Sequence, residues 1–177
     1  MSGAALPEWL RGRRLRLGDL HGVRTVVGRG QLHTVCDEAR CPNRSLCFSR
    51  GTATFLIMRN GSTRSCRYCS IGHGRPAGLD PDEPSHVAAV ARAMGLKHVV
   101  VTSVDRDDLP DGGAAHFAAV VAALRTLDPG PTVEVLTPAF RGDLRAVAAV
   151  LDGGPDVFNL NVETVRRLYP SLRRQVR

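Results

Sequence analysis

From residue 51 onward the chain alternates short apolar runs with helical patterns, and that alternation confines it to an α/β architecture. TATFLIM (52–58) reads as a buried strand, and PSHVAAVARAMG (84–95) as a helix with a glycine stop. KHVVVTS (97–103) is β-branched and bounded by polar residues, as a second strand should be. AAHFAAVVAALRTL (114–127) is an alanine-rich helix ended by Asp-Pro-Gly at 128–130. TVEVLT (132–137), LRAVAAVLDGG (144–154) and DVFNLNV (156–162) continue as strand, helix and strand, and a fourth helix is expected to begin at Glu163. Strands that are nearly continuous apolar runs imply parallel pairing, buried on both faces by crossover helices. Periodicity leaves an open doubly wound sheet and a barrel both standing. Four βα units cannot close a barrel, so the last strand is expected as an unpaired edge, in a fragment or beneath a partner.

A length of 177 residues suits one core. With 43% hydrophobic and 23% charged residues, the chain has no run of about 18 apolar residues to cross a bilayer. Its first twenty residues lack the apolar centre of a secretion signal, which makes the cytoplasm the expected compartment. Residues 1–50 show little periodicity and read as an N-terminal wrapping extension, ahead of a (βα) domain over 51–177. The net charge of +7 suggests nucleic acid only superficially. Lys97 is the sole lysine, and the densest basic cluster, Arg11, Arg13, Arg14 and Arg16, has Trp9 nearby but no aromatic interleaving that could stack bases. A solvated surface or a patch for an acidic partner explains it better.

All five cysteines, Cys36, Cys41, Cys47, Cys66 and Cys69, fall near the amino end of the chain. An odd count without a secretion signal argues against a disulfide framework and for metal or redox chemistry. Cys66-Arg-Tyr-Cys69 is a C-x-x-C pair, a spacing that zinc ribbons, thioredoxin-like sites and iron–sulfur proteins share. Cys36-x4-Cys41-x5-Cys47 is spaced more widely than zinc favours and suits a polynuclear centre, with a zinc ribbon of Cys36, Cys41, Cys66 and Cys69 as the alternative. Polar residues gather at the C-terminal ends of the expected strands, where parallel α/β proteins place their sites.

The run from Thr34 to Cys47, Gly51-Thr-Ala-Thr-Phe-Leu-Ile-Met58 and Thr63-Arg-Ser-Cys-Arg-Tyr-Cys69 closely resemble the lipoyl synthase family of radical S-adenosylmethionine enzymes. So do Leu79 to Pro84, Val101 to Gly113, Asp156 to Asn159 and Glu163-Thr-Val165. The resemblance implies part of a partial (βα)6 TIM-like barrel holding two 4Fe-4S clusters. One, an auxiliary cluster sacrificed as sulfur donor, would sit on Cys36, Cys41 and Cys47. The other would sit on a C-x3-C-x2-C loop after the first strand, with one iron open to S-adenosylmethionine. The implied reaction abstracts hydrogen from C6 and C8 of a protein-bound octanoyl chain and inserts sulfur at both carbons. Partners implied are an octanoylated lipoyl-carrier domain, an electron donor such as flavodoxin or ferredoxin, and an iron–sulfur carrier protein, with no nucleic acid and no membrane.

Ser62 stands where the family places the first cysteine of that loop, so the implied ligands are Ser62, Cys66 and Cys69. A hydroxyl is a harder and far less acidic ligand than a thiol, and this cluster is expected to be lost, labile or altered. Ala139 and Leu160 replace an aspartate and a histidine usual in the family. The family's serine ligand to the auxiliary cluster would lie beyond Arg177, so the chain is expected to be C-terminally truncated. The alternative function is therefore a catalytically impaired or inactive iron–sulfur-binding fragment of that family. By resemblance Ser103, Asp105, Arg106 and Asp107 line the S-adenosylmethionine pocket, Asn159, Asn161 and Glu163 approach the ribose, and Tyr68 the adenine. Capping, salt-bridging and cluster shielding are the ordinary roles of such residues. His73 is considered as a replacement ligand, although a histidine in Gly-His-Gly more often faces solvent.

Overall fold

In the computed structural model, residue 28 and residues 32–173, apart from positions 40, 60 and 70, are described. The cluster of Arg11, Arg13, Arg14 and Arg16 lies outside them. Two short helices, α1 (Val35–Glu38) and α2 (Arg44–Ser49), precede a sheet of four parallel strands, β1 (Thr52–Ile57), β2 (His98–Ser103), β3 (Thr132–Thr137) and β4 (Val157–Leu160). The crossovers are α3 (Glu83–Ala93), α4 (Ala114–Arg125) and α5 (Leu144–Asp152), and α6 (Tyr169–Leu172) follows β4.

The strands lie side by side in sequence order, β1-β2-β3-β4, with Thr52 opposite His98, His98 opposite Thr132, and Glu134 opposite Val157. Because such crossovers are right-handed, an unreversed order puts every helix on the same face. This is barrel-like winding; a doubly wound sheet would reverse direction. The expectation of helices on both faces is thereby corrected. Ala53, Phe55 and Ile57 on β1, Val99 and Val101 on β2, and Val133 and Val135 on β3 form the covered rows, packed with Val87, Phe117, Val121 and Val150 of the helices. Each of these valines contributes roughly 1.5–3 kcal/mol by its burial. The opposite face carries Thr54, His98, Val100, Thr102 and Glu134, all half-buried.

Element boundaries follow local chemistry. Asp111 caps α4, its carboxylate accepting the N–H groups of Gly113 and Ala115 at 2.9 and 2.8 Å, and Asp143 does the same for α5 through Arg145 N–H. At the end of α3, Gly95 takes φ +57, a left-handed stop that glycine adopts without strain. Residues 32–50 are more regular than their periodicity suggested. Thr34 pairs in an antiparallel bridge with Phe55, and Leu32, Cys36 and Phe48 join the core of the sheet. The expected helix at Glu163 does not form. Glu163 has φ +63, which breaks the backbone there, and helical structure resumes only with a 3-10 turn at Arg166–Leu168. No helix among the described residues is long and apolar enough to cross a membrane.

Candidate functional site

A cleft opens at the C-terminal ends of β1, β2 and β3. Its walls include Ser62, Cys66, Tyr68 and Cys69 from the loop after β1, Ser103 and Asp105 after β2, Thr137 at the end of β3, and Asn161, Glu163 and Arg173 after β4. These lie up to about a hundred positions apart in sequence, and parallel winding collects them at one sheet end.

The loop is aimed by the way β1 stops. Met58 takes φ +56, and both carboxylate oxygens of Glu83 accept its N–H at 3.1–3.2 Å; the same carboxylate meets His116 Nε2 at 2.7 Å. Thr63 and Arg64 then bind the loop after β2. Thr63 N–H and hydroxyl both donate to Asp105 O, at 3.0 and 2.9 Å, and Thr63 Oγ1 accepts Asp107 N–H at 3.0 Å. Arg64, 2% exposed, donates Nε–H and Nη2–H to the two carboxylate oxygens of Asp107 at 2.6 and 2.7 Å, with Nη1 3.2 Å from Asp105 Oδ1. The bidentate bond from Arg64 holds the Asp107 carboxyl below the usual range, whereas burial pushes Asp105 up against the pull of Arg64.

From the other side, residues 161–173 fold over the cysteine loop. Arg67 N–H donates to Leu172 O at 3.3 Å, and Arg173 Nη1–H to Asn161 O at 3.1 Å. Arg173 is 7% exposed and lies 5.9 Å from the Tyr169 ring. Among the described residues its Nε and Thr137 Oγ1 are buried without a hydrogen-bond partner, and both residues line the cleft. Tyr68 is 45% exposed, yet desolvation, and then the Cys66 thiol beside it, raise its phenol above the ordinary range.

The sequence-predicted residues are thus partly gathered. Ser62, Cys66, Cys69, Tyr68, Ser103, Asp105, Asn161 and Glu163 share the cleft. Asn159 is on β4 with its amide donating to Glu134 Oε1 at 2.6 Å, and is not among the lining residues. Arg106 instead pairs with Asp108 and donates to Ala77 O, while Asp107 anchors Arg64. His73 is exposed, its backbone bridged to Ser62. Cys36, Cys41 and Cys47 form a separate set on and between α1 and α2. Burial raises the Cys36 thiol, and Cys41 and Cys47 lie close enough to add charge repulsion. Sequence reasoning missed Arg64, Arg173 and Thr137.

No three His, Cys, Asp or Glu side chains among the described residues are gathered to hold a single metal ion. A polynuclear cluster spreads its cysteine ligands further apart, and three thiols around α1 and α2 suit it in donor type. The cleft suits S-adenosylmethionine: its orphaned Arg173 Nε and Thr137 Oγ1 lack partners that a carboxylate and a polar headgroup would supply. The loop beside it does not suit a cluster held by three thiolates, since one of its three donors is the Ser62 hydroxyl.

Residues 56–177 match the radical SAM superfamily. The chain belongs to that superfamily. Its radical SAM relatives include lipoyl synthases from Pyrobaculum arsenaticum, 53% identical over 171 residues covering 96% of this chain and 58% of that protein, and from Nitrosococcus oceani, 52% identical over 168 residues covering 94% and 52%. The Rubrobacter xylanophilus lipoyl synthase is 52% identical over 174 residues, 97% of this chain and 53% of its own length. The chain therefore spans little more than half the length of these radical SAM relatives. The likeness also covers residues 34–47, ahead of the matched radical SAM segment.

Proposed function

We propose that this chain supplies the sulfur-donor cysteines and the S-adenosylmethionine-binding sheet end of a lipoyl synthase, which inserts two sulfur atoms at C6 and C8 of a protein-bound octanoyl group. The observation that carries the reading is the pair of buried, unpartnered polar atoms, Arg173 Nε and Thr137 Oγ1, in the cleft that also holds Asn161 and Glu163. When bound, S-adenosylmethionine supplies the hydrogen-abstracting chemistry that unactivated C–H bonds demand. Arg173 holds its carboxylate, and Asp105 its ammonium group. The Glu163 carboxylate would accept from the ribose hydroxyls, the Asn161 amide would accept from or donate to them, and Tyr68 would cover the adenine. Cys36, Cys41 and Cys47 hold the auxiliary 4Fe-4S cluster. The acyl substrate arrives on a carrier domain, electrons come from a flavodoxin or ferredoxin, the iron–sulfur centre comes from a carrier protein, and the work is cytoplasmic. Ser62 favours a second reading, in which the chain binds these groups but is impaired in turnover.

Equilibrium dialysis with labelled S-adenosylmethionine tests the proposal. Arg173→Gln and Glu163→Gln should each weaken binding by about tenfold, the loss expected for one charge-assisted hydrogen bond. An unmutated chain that retains no S-adenosylmethionine would dismiss it.

A further inference from the structure

We infer that Ser62 is a turn residue and not an iron ligand, so that the loop bearing Cys66 and Cys69 holds no iron–sulfur cluster in this chain. The inference deepens the impaired reading above and rests on the cleft being a radical SAM site.

Ser62 is fixed from every side by the protein itself. Its N–H donates to Gly72 O at 3.2 Å, its carbonyl accepts from Gly74 N–H at 3.3 Å, and Oγ accepts Arg64 N–H at 3.2 Å. The residue is 8% exposed. Thr63 and Arg64 immediately after it are locked to Asp105 and Asp107 by five further hydrogen bonds and an ion pair. The first half of the loop is therefore held by the protein's own hydrogen bonds. Two sulfurs and one hard oxygen make a poor set for soft iron–sulfur irons. Among the described residues His73, the candidate replacement ligand, is exposed and does not line the cleft. Cys66 is left half-buried and Cys69 exposed, both open to reagents. A sulfur at position 62 would share the cleft with Cys66 and Cys69 and could accept the same Arg64 N–H, so the deficit is one atom.

The whole chain is incubated anaerobically with ferrous iron and sulfide, desalted, and pulsed with iodoacetamide, and each cysteine is read by mass spectrometry. Cys66 and Cys69 of the wild type and of Ser62→Ala should alkylate equally fast with and without iron and sulfide. In Ser62→Cys, iron and sulfide should slow both by about tenfold or more, because ligated thiolates are withdrawn from attack. Protection in the wild type matching that of Ser62→Cys would overturn the inference. So would wild-type protection that Ser62→Ala loses, since the hydroxyl would then be a ligand. A Ser62→Cys chain that stays unprotected while its circular dichroism is native would also overturn it, because the absent thiol would not be the reason. S-adenosylmethionine binding on the same samples separates the two ideas. Lost binding with the expected alkylation pattern removes the reading of the cleft and leaves Ser62 as a turn residue.

Discussion

Arg64 is a buried cation between two carboxylates whose pKa values are shifted in opposite directions, Asp105 up and Asp107 down. Asp107, held low by the Arg64 fork, adds stability that is complete above the ordinary carboxylate value of 3.8 and is lost as pH falls through its depressed value. Asp105, raised by burial, costs stability once ionised, and acid relieves that cost. Asp107→Asn should therefore lower stability by about 3 kcal/mol at pH 7, as half of a buried pair is removed, and should flatten the loss of stability below about pH 4. Urea unfolding of both proteins between pH 3 and 7 measures this; parallel curves would show that Asp107 is not the titrating partner. The cysteines stood out in the sequence because their residue type and spacing carry a signal, and Ser62 stood out only through the resemblance of its loop to the family's. Arg64 did not, since its partners stand 41 to 43 positions away and it is one arginine in a chain full of them. The same holds for Arg173, whose burial depends on residues 161–173 folding back over the cysteine loop.

At the scale of elements, the long helices and the first three strands were readable to within a residue or two, because each combines an apolar pattern with a glycine or aspartate at its end. The short ones were not. Helices α1 and α2 have four and six residues, too few for a period to show, and Glu163 at φ +63 interrupts what composition alone presents as a helix start. The junction of β1 with α4 illustrates how tightly element ends are fitted. Gly113 sits at φ +90 ahead of α4, and a Cβ there would lie 2.6 Å from Met58 Sδ, at the residue that turns β1 into the cysteine loop. Gly113→Ala combines left-handed strain with that collision and should cost about 2 kcal/mol. The methionine end can shift, so the strain sets the minimum. Thermal unfolding reads the loss, and because Met58 also positions the loop, faster alkylation of Cys66 should accompany it.

For the whole molecule, alternation of strand and helix was enough to give the α/β class, but which faces the helices cover depends on strand order combined with right-handed crossovers, and the order is not written in the periodicity of any one element. The same order leaves β4 last in the sheet, and among the described residues nothing pairs with its outer edge. Leu160 is 52% exposed on that strand, with Val162 and Val165 exposed just after it. Unpaired backbone beside exposed apolar side chains is a template for another strand. A net charge of +7 opposes the approach of two copies, and salt screens it over a distance of about 8–10 Å near physiological strength. These 177 residues should therefore self-associate in sedimentation velocity, more at 0.5 M than at 0.05 M sodium chloride. Leu160→Lys, which places a charge on the edge without touching the buried rows, should shift the population toward monomer at both strengths. A wild-type chain that stays monomeric at high salt and high concentration would overturn the prediction.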